Sequence, residues 1–78
     1  MSNYRMDIKG DIGLKDYSNI YDYLSIVDIN DNFTIIIDRC SKHEANILSS
    51  MLNNNFFHIY QEGYNNNGNY QINAYKIK

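Results

Sequence analysis

The fold is decided by the stretch SKHEANILSSMLNNN, residues 41–55 of a chain of 78 residues. It opens with a capping box, because the Ser41 hydroxyl can accept from the amide three residues later while Glu44 reaches back. Apolar residues then recur at helical spacing: Ala45, Leu48, Met51 and Leu52, with Ile47 beside them. Three asparagines follow, and Asn tolerates the left-handed conformation at a helix end. The stretch therefore predicts a helix over about 42–53.

Two strand patterns precede this helix. Residues 33–37 form a near-continuous apolar run, Phe-Thr-Ile-Ile-Ile, which is typical of a central strand. Residues 25–29, Ser-Ile-Val-Asp-Ile, also have the composition of a strand. Because the turn formers Asn30-Asp31-Asn32 lie between them, the sequence predicts that the two runs pair as a hairpin.

A second hairpin is predicted after the helix. Residues 56–61 and 70–77 are strand-like, and Asn67-Gly68 between them supplies residues suited to a tight turn. The apolar residues of 70–77 fall on both faces. A bulge near Ala74 or Tyr75, or burial on both faces, would reconcile them.

The N-terminal part predicts a strand and a short helix. Tyr4, Met6 and Ile8 alternate with charged residues, as in a half-buried strand, until Gly10-Asp11-Ile12-Gly13 breaks the pattern. Asp16 can cap a short helix over about 16–24, in which Tyr17, Ile20, Tyr21 and Leu24 recur at helical spacing.

These elements predict one α+β domain over residues 1–78. We expect a mostly antiparallel sheet of four or five strands, with helix 42–53 packed on one face. The opposite face, or an edge strand, is then the expected place for binding. A second copy pairing along strand 70–77 is the alternative to a monomer.

Composition limits the class of protein. Net charge is −2, and the seven Lys and Arg are scattered, so nucleic acid is a disfavoured partner. No stretch has the roughly 18–20 apolar residues of a membrane span, and the start lacks the character of a secretory signal. Cys40 is the single cysteine, which excludes an internal disulfide and favours a reducing, cytoplasmic location.

Two metal-site patterns are incomplete. The segment 28–32 begins like a calcium loop, but Phe33 and Arg39 stand where such a loop needs Gly and Glu. Cys40 and His43 have the spacing of half a zinc site, without the further cysteines that structural zinc sites usually have. The sequence therefore predicts no metal site and no cofactor.

Catalytic patterns are incomplete as well. Cys40 and His43 could form a nucleophile pair, but no third orienting residue is evident. Residues 10–13 outline a phosphate-gripping loop of the KH type, where Asp11 and Asp16 would repel phosphate. The nine carboxylates show no pair suited to acid–base chemistry. We therefore expect a protein that is not an enzyme.

The strongest candidate surface is the segment 16–31. After Lys15 it carries acidic residues and no base, interleaved with tyrosines, and Tyr adds contact area at low entropic cost. Such a surface suits a basic groove on a protein partner. The predicted contacts in this segment are Asp16, Tyr17, Tyr21, Asp22, Tyr23, Asp28 and Asp31. The C-terminal hairpin is the second choice, with Tyr60, Tyr64, Tyr70 and Tyr75.

The functional expectation is a small acidic protein-binding module. In size, charge and composition the chain resembles the small inhibitors that phages and mobile elements direct against host enzymes. The resemblance implies occlusion of a basic surface of the target. Alternatives from other classes are a small-ligand or nucleotide-binding module, with bases stacked on exposed aromatics, and a structural or assembly subunit.

Overall fold

A computed structural model describes residues 2–10 and 12–78. They form four strands in one sheet and two helices, an α+β fold with mostly antiparallel strands. The elements in chain order are β1 (Asn3–Ile8), α1 (Leu14–Ile26), β2 (Asn32–Ile37), α2 (Lys42–Asn54), β3 (Phe57–Tyr64) and β4 (Tyr70–Lys76).

The strand order across the sheet is β1-β2-β4-β3. β1 and β2 are parallel, whereas β4 is antiparallel to both of its neighbours. β2 thus has strands on both sides, which confirms the central position predicted for residues 33–37. The predicted hairpin between 25–29 and 33–37 is wrong, because β2 pairs with β1 and β4 instead.

Residues 25–29 differ from the predicted strand for a topological reason. Two parallel strands need a crossover connection, and α1 is the crossover from β1 to β2. Ile20, Leu24 and Val27 are buried at spacings of four and three residues, which continues the helical stripe beyond residue 24. Ser25 and Ile26 therefore end the helix, and Ile29 makes only an isolated bridge to Lys76.

Helix α1 is longer than the predicted 16–24. It begins at Leu14, so Asp16 lies within the first turn and is not the N-cap residue. The Asp16 carboxylate accepts from the Gly13 amide at 3.0 Å, which satisfies one unpaired donor of the helix start. Gly10 and Gly13 lie in the connection as predicted, while Asp11 lies outside the described residues.

Helix α2 confirms the capping box. The Ser41 hydroxyl accepts from the Glu44 amide at 3.2 Å, and the Glu44 carboxylate accepts from the Ser41 amide at 3.0 Å. Its C-terminal end departs from expectation. The left-handed conformation is taken by Phe56 (φ 66°), the residue after the Asn55 cap, and not by one of the three asparagines.

The C-terminal hairpin is confirmed, with its irregularity on the other strand. The register shifts between Ile59 and Gln61 in β3, so Tyr60 is the extra residue of a bulge. Ala74 lies opposite Ile59 in regular pairing, which corrects the predicted bulge near Ala74 or Tyr75. Gly68 supplies the positive φ of the turn, at 84°.

Both helices pack on the same face of the sheet. Alternate residues of β2 and β4 are fully buried and share one hydrophobic cluster with residues of α1 and α2. Its fully buried members include Phe33, Ile35, Ile37, Ile72, Ile20, Leu48 and Leu52. Within residues 2–10 and 12–78, the other face of the sheet has no layer over it.

Candidate binding face

The uncovered face presents three rows of side chains across the four strands. Since neighbours along a strand point to opposite faces, the strand registers define which side chains share this face. The rows, each read from β1 to β3, are Asn3, Asn32, Tyr75 and His58; Arg5, Thr34, Asn73 and Gln61; and Asp7, Ile36, Gln71 and Gly63.

Asn73 lies at the centre of this face and is only 8% exposed. Its side-chain oxygen accepts from the Thr34 hydroxyl at 2.9 Å and from the Gln71 side-chain amide at 3.2 Å. Its amide nitrogen donates to the Gln61 oxygen at 3.1 Å. These hydrogen bonds join side chains of β2, β4 and β3, so the network holds the middle of the face in one arrangement.

Three aromatic rings lie at one end of the network. The Tyr75 ring lies 5.2 Å from His58 and 5.9 Å from Tyr60, measured between centroids. The Tyr60 hydroxyl donates to the Asn32 side-chain oxygen, which brings the bulge residue onto the uncovered face. The bulge thus adds a third ring to the cluster.

Within the three rows, charged side chains are confined to the β1 edge. The Arg5 guanidinium contacts the Asp7 carboxylate at 3.1 Å, and both side chains are largely exposed. Apart from Ile36 and Gly63, the other positions of the rows carry amide, hydroxyl or aromatic side chains. Such a composition is typical of surfaces that recognise other proteins, where Tyr supplies area and Asn supplies adaptable hydrogen bonds.

Much of the predicted acidic segment 16–31 serves the fold. Asp16 accepts from the start of α1, as described above. Tyr17 is partly buried against the core, and Tyr23 stacks on Phe33 with ring centroids 5.9 Å apart. Asp31 is 7% exposed, and its carboxylate accepts from the Ser2 amide at 2.8 Å and the Asp28 amide at 3.1 Å.

These contacts alter proton affinities. Hydrogen bonds from the Ser2 amide, and then from the Asp28 amide, lower the pKa of Asp31. Burial, followed by the nearby Glu44 carboxylate, raises the pKa of Tyr17. Of the predicted contacts in this segment, three are left exposed: Tyr21, Asp22 and Asp28.

The predicted tyrosines of the C-terminal hairpin lie on opposite faces. Tyr60 and Tyr75 are on the uncovered face, whereas Tyr64 and Tyr70 are on the helix side. The Tyr70 hydroxyl donates to Glu62 at 2.8 Å, and burial together with this bond raises the pKa of Tyr70 to about 12. The Tyr64 hydroxyl donates to the Cys40 carbonyl at 2.8 Å. The eleven predicted contacts therefore do not form one surface.

The surroundings of Cys40 do not activate its thiol. Burial, and then the Glu44 carboxylate, raise the pKa of Cys40, so the thiolate is disfavoured. Its side chain packs against the hydrophobic core, and its Sγ lies 3.4 Å from the Ser41 carbonyl. The arrangement is that of a small side chain filling space beside the start of α2.

The described residues contain neither a cluster of metal-ligand side chains nor a helix suited to crossing a membrane. Among residues 2–10 and 12–78, no group of three or more His, Cys, Asp and Glu side chains is arranged to hold a metal ion. In the same part of the chain, no helix has the length and apolar character to cross a membrane.

The sequence pattern did not point to the polar members of the uncovered face. Asn32, Thr34, Gln61, Gln71 and Asn73 belong to three strands, and only the strand order brings them together. A signal was present in β4, where Gln71, Asn73 and Tyr75 alternate with buried Ile72 and Ala74.

Comparisons with known proteins give no relative. No protein-family model matches the chain, no curated protein is significantly similar to it, and no solved structure matches its fold significantly.

Proposed function

We propose that this protein is a non-catalytic module that binds another protein through the uncovered face of its sheet. The observation that supports this most is the Asn73-centred network, which fixes amide and hydroxyl groups beside the Tyr75, His58 and Tyr60 rings. A surface whose side chains are already held in place loses less entropy on binding than a mobile one.

The charge of the face argues for a protein over a nucleic acid. Nucleic-acid bases that stacked on these aromatic rings would need cations nearby to bind the phosphates. Arg5 on this face is paired with Asp7, so its charge is already partly neutralised. Uncharged polar groups around aromatic rings suit the mixed surface of a folded protein instead.

Inhibition of an enzyme by occlusion is the mode of action that we propose, in a cytoplasmic setting that would keep Cys40 reduced. In the acidic version of this mode, the exposed Asp28, in the loop between α1 and β2, contacts a basic rim of the target while the uncovered face of the sheet occludes the target's surface. This version makes association weaken as salt rises, since salt screens exposed charges.

Affinity purification with a matched pair of variants tests the proposal. Tyr60 and Tyr64 belong to the same strand and are 49% and 62% exposed, but they lie on opposite faces. Tagged parent, Tyr60→Ser and Tyr64→Ser proteins would each be used to recover partners identified by mass spectrometry. We expect a discrete protein to be recovered by the parent and by Tyr64→Ser, and lost with Tyr60→Ser.

Two results would contradict the proposal. Equal recovery with Tyr60→Ser and the parent would exclude the uncovered face, and recovery of no protein would exclude the function. Repeating the recovery with Asp28→Lys, and separately at high salt, tests the acidic version. If recovery is unchanged in the charge-reversal variant and at high salt, the sheet face remains the proposed interface, and the proposed contact with a basic rim of the target is rejected.

A further inference from the structure

Phe56 follows the Asn55 cap of α2, where its amide donates to the Asn53 carbonyl at 3.3 Å and its carbonyl accepts from the Ile77 amide at 2.9 Å. The helix end accounts for a left-handed residue at this position, but not for a phenylalanine. The φ of Phe56, 66°, is left-handed, which is uncommon for residues other than Gly, Asn and Asp and is strained for a bulky one. Its side chain is 50% exposed, so burial does not account for the aromatic ring. Asn55 immediately precedes it, so a residue suited to this conformation lies one position away.

A cleft surrounds Phe56 on the helix side of the molecule. Its lining includes Tyr21 and Leu24 of α1, Phe56, and two lysines, Lys76 and Lys78. Tyr21 is 58% exposed and Leu24 is 4% exposed, so the cleft has a buried apolar floor and an aromatic rim.

Two ammonium groups accompany this apolar surface. The Lys78 ammonium lies 5.1 Å from the centroid of the Phe56 ring. Among residues 2–10 and 12–78 the ion pair formed is Arg5–Asp7, so neither Lys76 nor Lys78 is paired with a carboxylate there. Both helices end near this cleft without a basic residue in the last turn, so the lysines also offset their negative ends. That role explains the lysines but does not explain Phe56.

We infer that this cleft is a second docking site, distinct from the uncovered face, and that it takes an acidic segment of a protein partner with Phe56 as its aromatic anchor. Strained conformations that persist in folded proteins cluster at functional positions. Aromatic residues dominate the energetics of protein interfaces. The unpaired lysines provide the charge complementarity that selects carboxylates in the partner.

NMR titration of the ¹⁵N-labelled full chain tests this inference. The probes are a short helical peptide of Glu, Leu and Ala, its counterpart with Lys in place of Glu, and a counterpart with Ser in place of Leu. We expect the Glu-Leu peptide to shift the resonances of Tyr21, Phe56 and Lys76, and both counterparts to bind at least about tenfold more weakly, which is roughly 1.4 kcal/mol. Equal binding of the Lys peptide, or no shifts at millimolar peptide, would overturn the inference.

The variant Phe56→Asn tests whether the Phe56 ring binds the partner or instead stabilises the fold. Asn suits the left-handed conformation, so we expect a melting temperature equal to or above that of the parent together with loss of peptide binding. Leu14→Asn is the control, because Leu14 is 87% exposed at the opposite end of α1 and should leave binding unchanged. A lowered melting temperature for Phe56→Asn would instead show that the ring serves the fold.

A membrane surface is the competing occupant. Sedimentation with vesicles containing phosphatidylserine would detect it, because lysines beside apolar side chains also bind anionic lipid. We expect no sedimentation above that with neutral phosphatidylcholine vesicles. Sedimentation that is lost in Phe56→Asn would overturn the acidic-peptide inference. Recovery of a partner through the uncovered face, tested with Tyr60→Ser, is independent of all these results.

Discussion

The two faces of β2 differ in burial and in hydrogen bonding. On the helix side, Phe33, Ile35 and Ile37 are at most 1% exposed, and the face is defined by the apolar area removed from water. On the uncovered side, Asn32 and Thr34 are partly exposed and hydrogen bonded to neighbours. Burial supplies most of the stability, whereas the hydrogen bonds fix positions at little net gain in free energy. The uncovered face therefore contributes less to folding than the helix side does.

Adjacent isoleucines give the largest expected difference. Ile35 is 0% exposed on the helix side, and Ile36 is partly exposed on the uncovered side. We expect Ile35→Ala to lower the free energy of unfolding by about 2–5 kcal/mol, from lost burial and the cavity left behind. Ile36→Ala should cost about 1 kcal/mol or less. Urea denaturation of both variants measures this, and equal losses would mean that the second face is also covered.

The polar network should contribute a smaller amount. Asn73→Ala removes one partner from each of three hydrogen bonds, and we expect a loss of about 1–2 kcal/mol. Asn66→Ala, in the exposed turn before β4, is the control and should change stability by less than about 0.5 kcal/mol. Thermal unfolding of the pair measures the difference. An equal effect at both positions would indicate that the network is not formed.

Alkaline pH probes the helix side through Tyr70. Its pKa is raised from 10.0 to about 12 in the folded protein, so the folded state holds this proton more tightly than the unfolded chain. The contribution of Tyr70 to the free energy of unfolding is therefore fully present below pH 10 and declines as pH rises from 10 towards 12. We expect Tyr70→Phe to flatten the fall in unfolding free energy over this range. A slope identical to that of the parent would exclude Tyr70 as its source.

Acidic pH probes the turn from which β2 starts. The pKa of Asp31 is lowered from its ordinary value of 3.8, so its contribution is fully present above that pH and is lost as pH falls through the lower folded value. We expect Asp31→Asn to be less stable than the parent at neutral pH and to approach it below this range. Asp22→Asn removes a carboxylate from an exposed position and is the control for the change in net charge; it should change stability at neutral pH by less than about 0.5 kcal/mol.

The sequence predicts best those elements whose signals are local. The Ser41 and Glu44 side chains contact amides three residues away, so their types and spacing alone predict the start of α2. The alternation of Tyr4, Met6 and Ile8 likewise predicts β1. The strand prediction for 25–29 failed because β-branched residues there suit a strand locally, while the parallel pairing of β1 with β2 requires a crossover helix.

The candidate sites could be predicted only in part for the same reason. Tyr60 and Tyr75 were found from composition, but their meeting on one face depends on the bulge in β3 and on strand order. Tyr17 and Tyr23 were predicted as contacts, yet in α1 they pack against the cluster that contains Ile20 and Leu24. The left-handed conformation of Phe56 has no sequence signal, since an asparagine was available beside it.

The place of β4 in the sheet has a consequence for synthesis. β4 follows the other three strands in the sequence, yet it lies between β2 and β3 and supplies buried Ile72 and Ala74 to the core. While the chain emerges from the ribosome, β2 and β3 each expose a strand edge until residues 70–76 are released. We therefore expect the domain to complete its folding only after translation has passed Lys76, and a nascent chain stopped before Tyr70 to depend on chaperones.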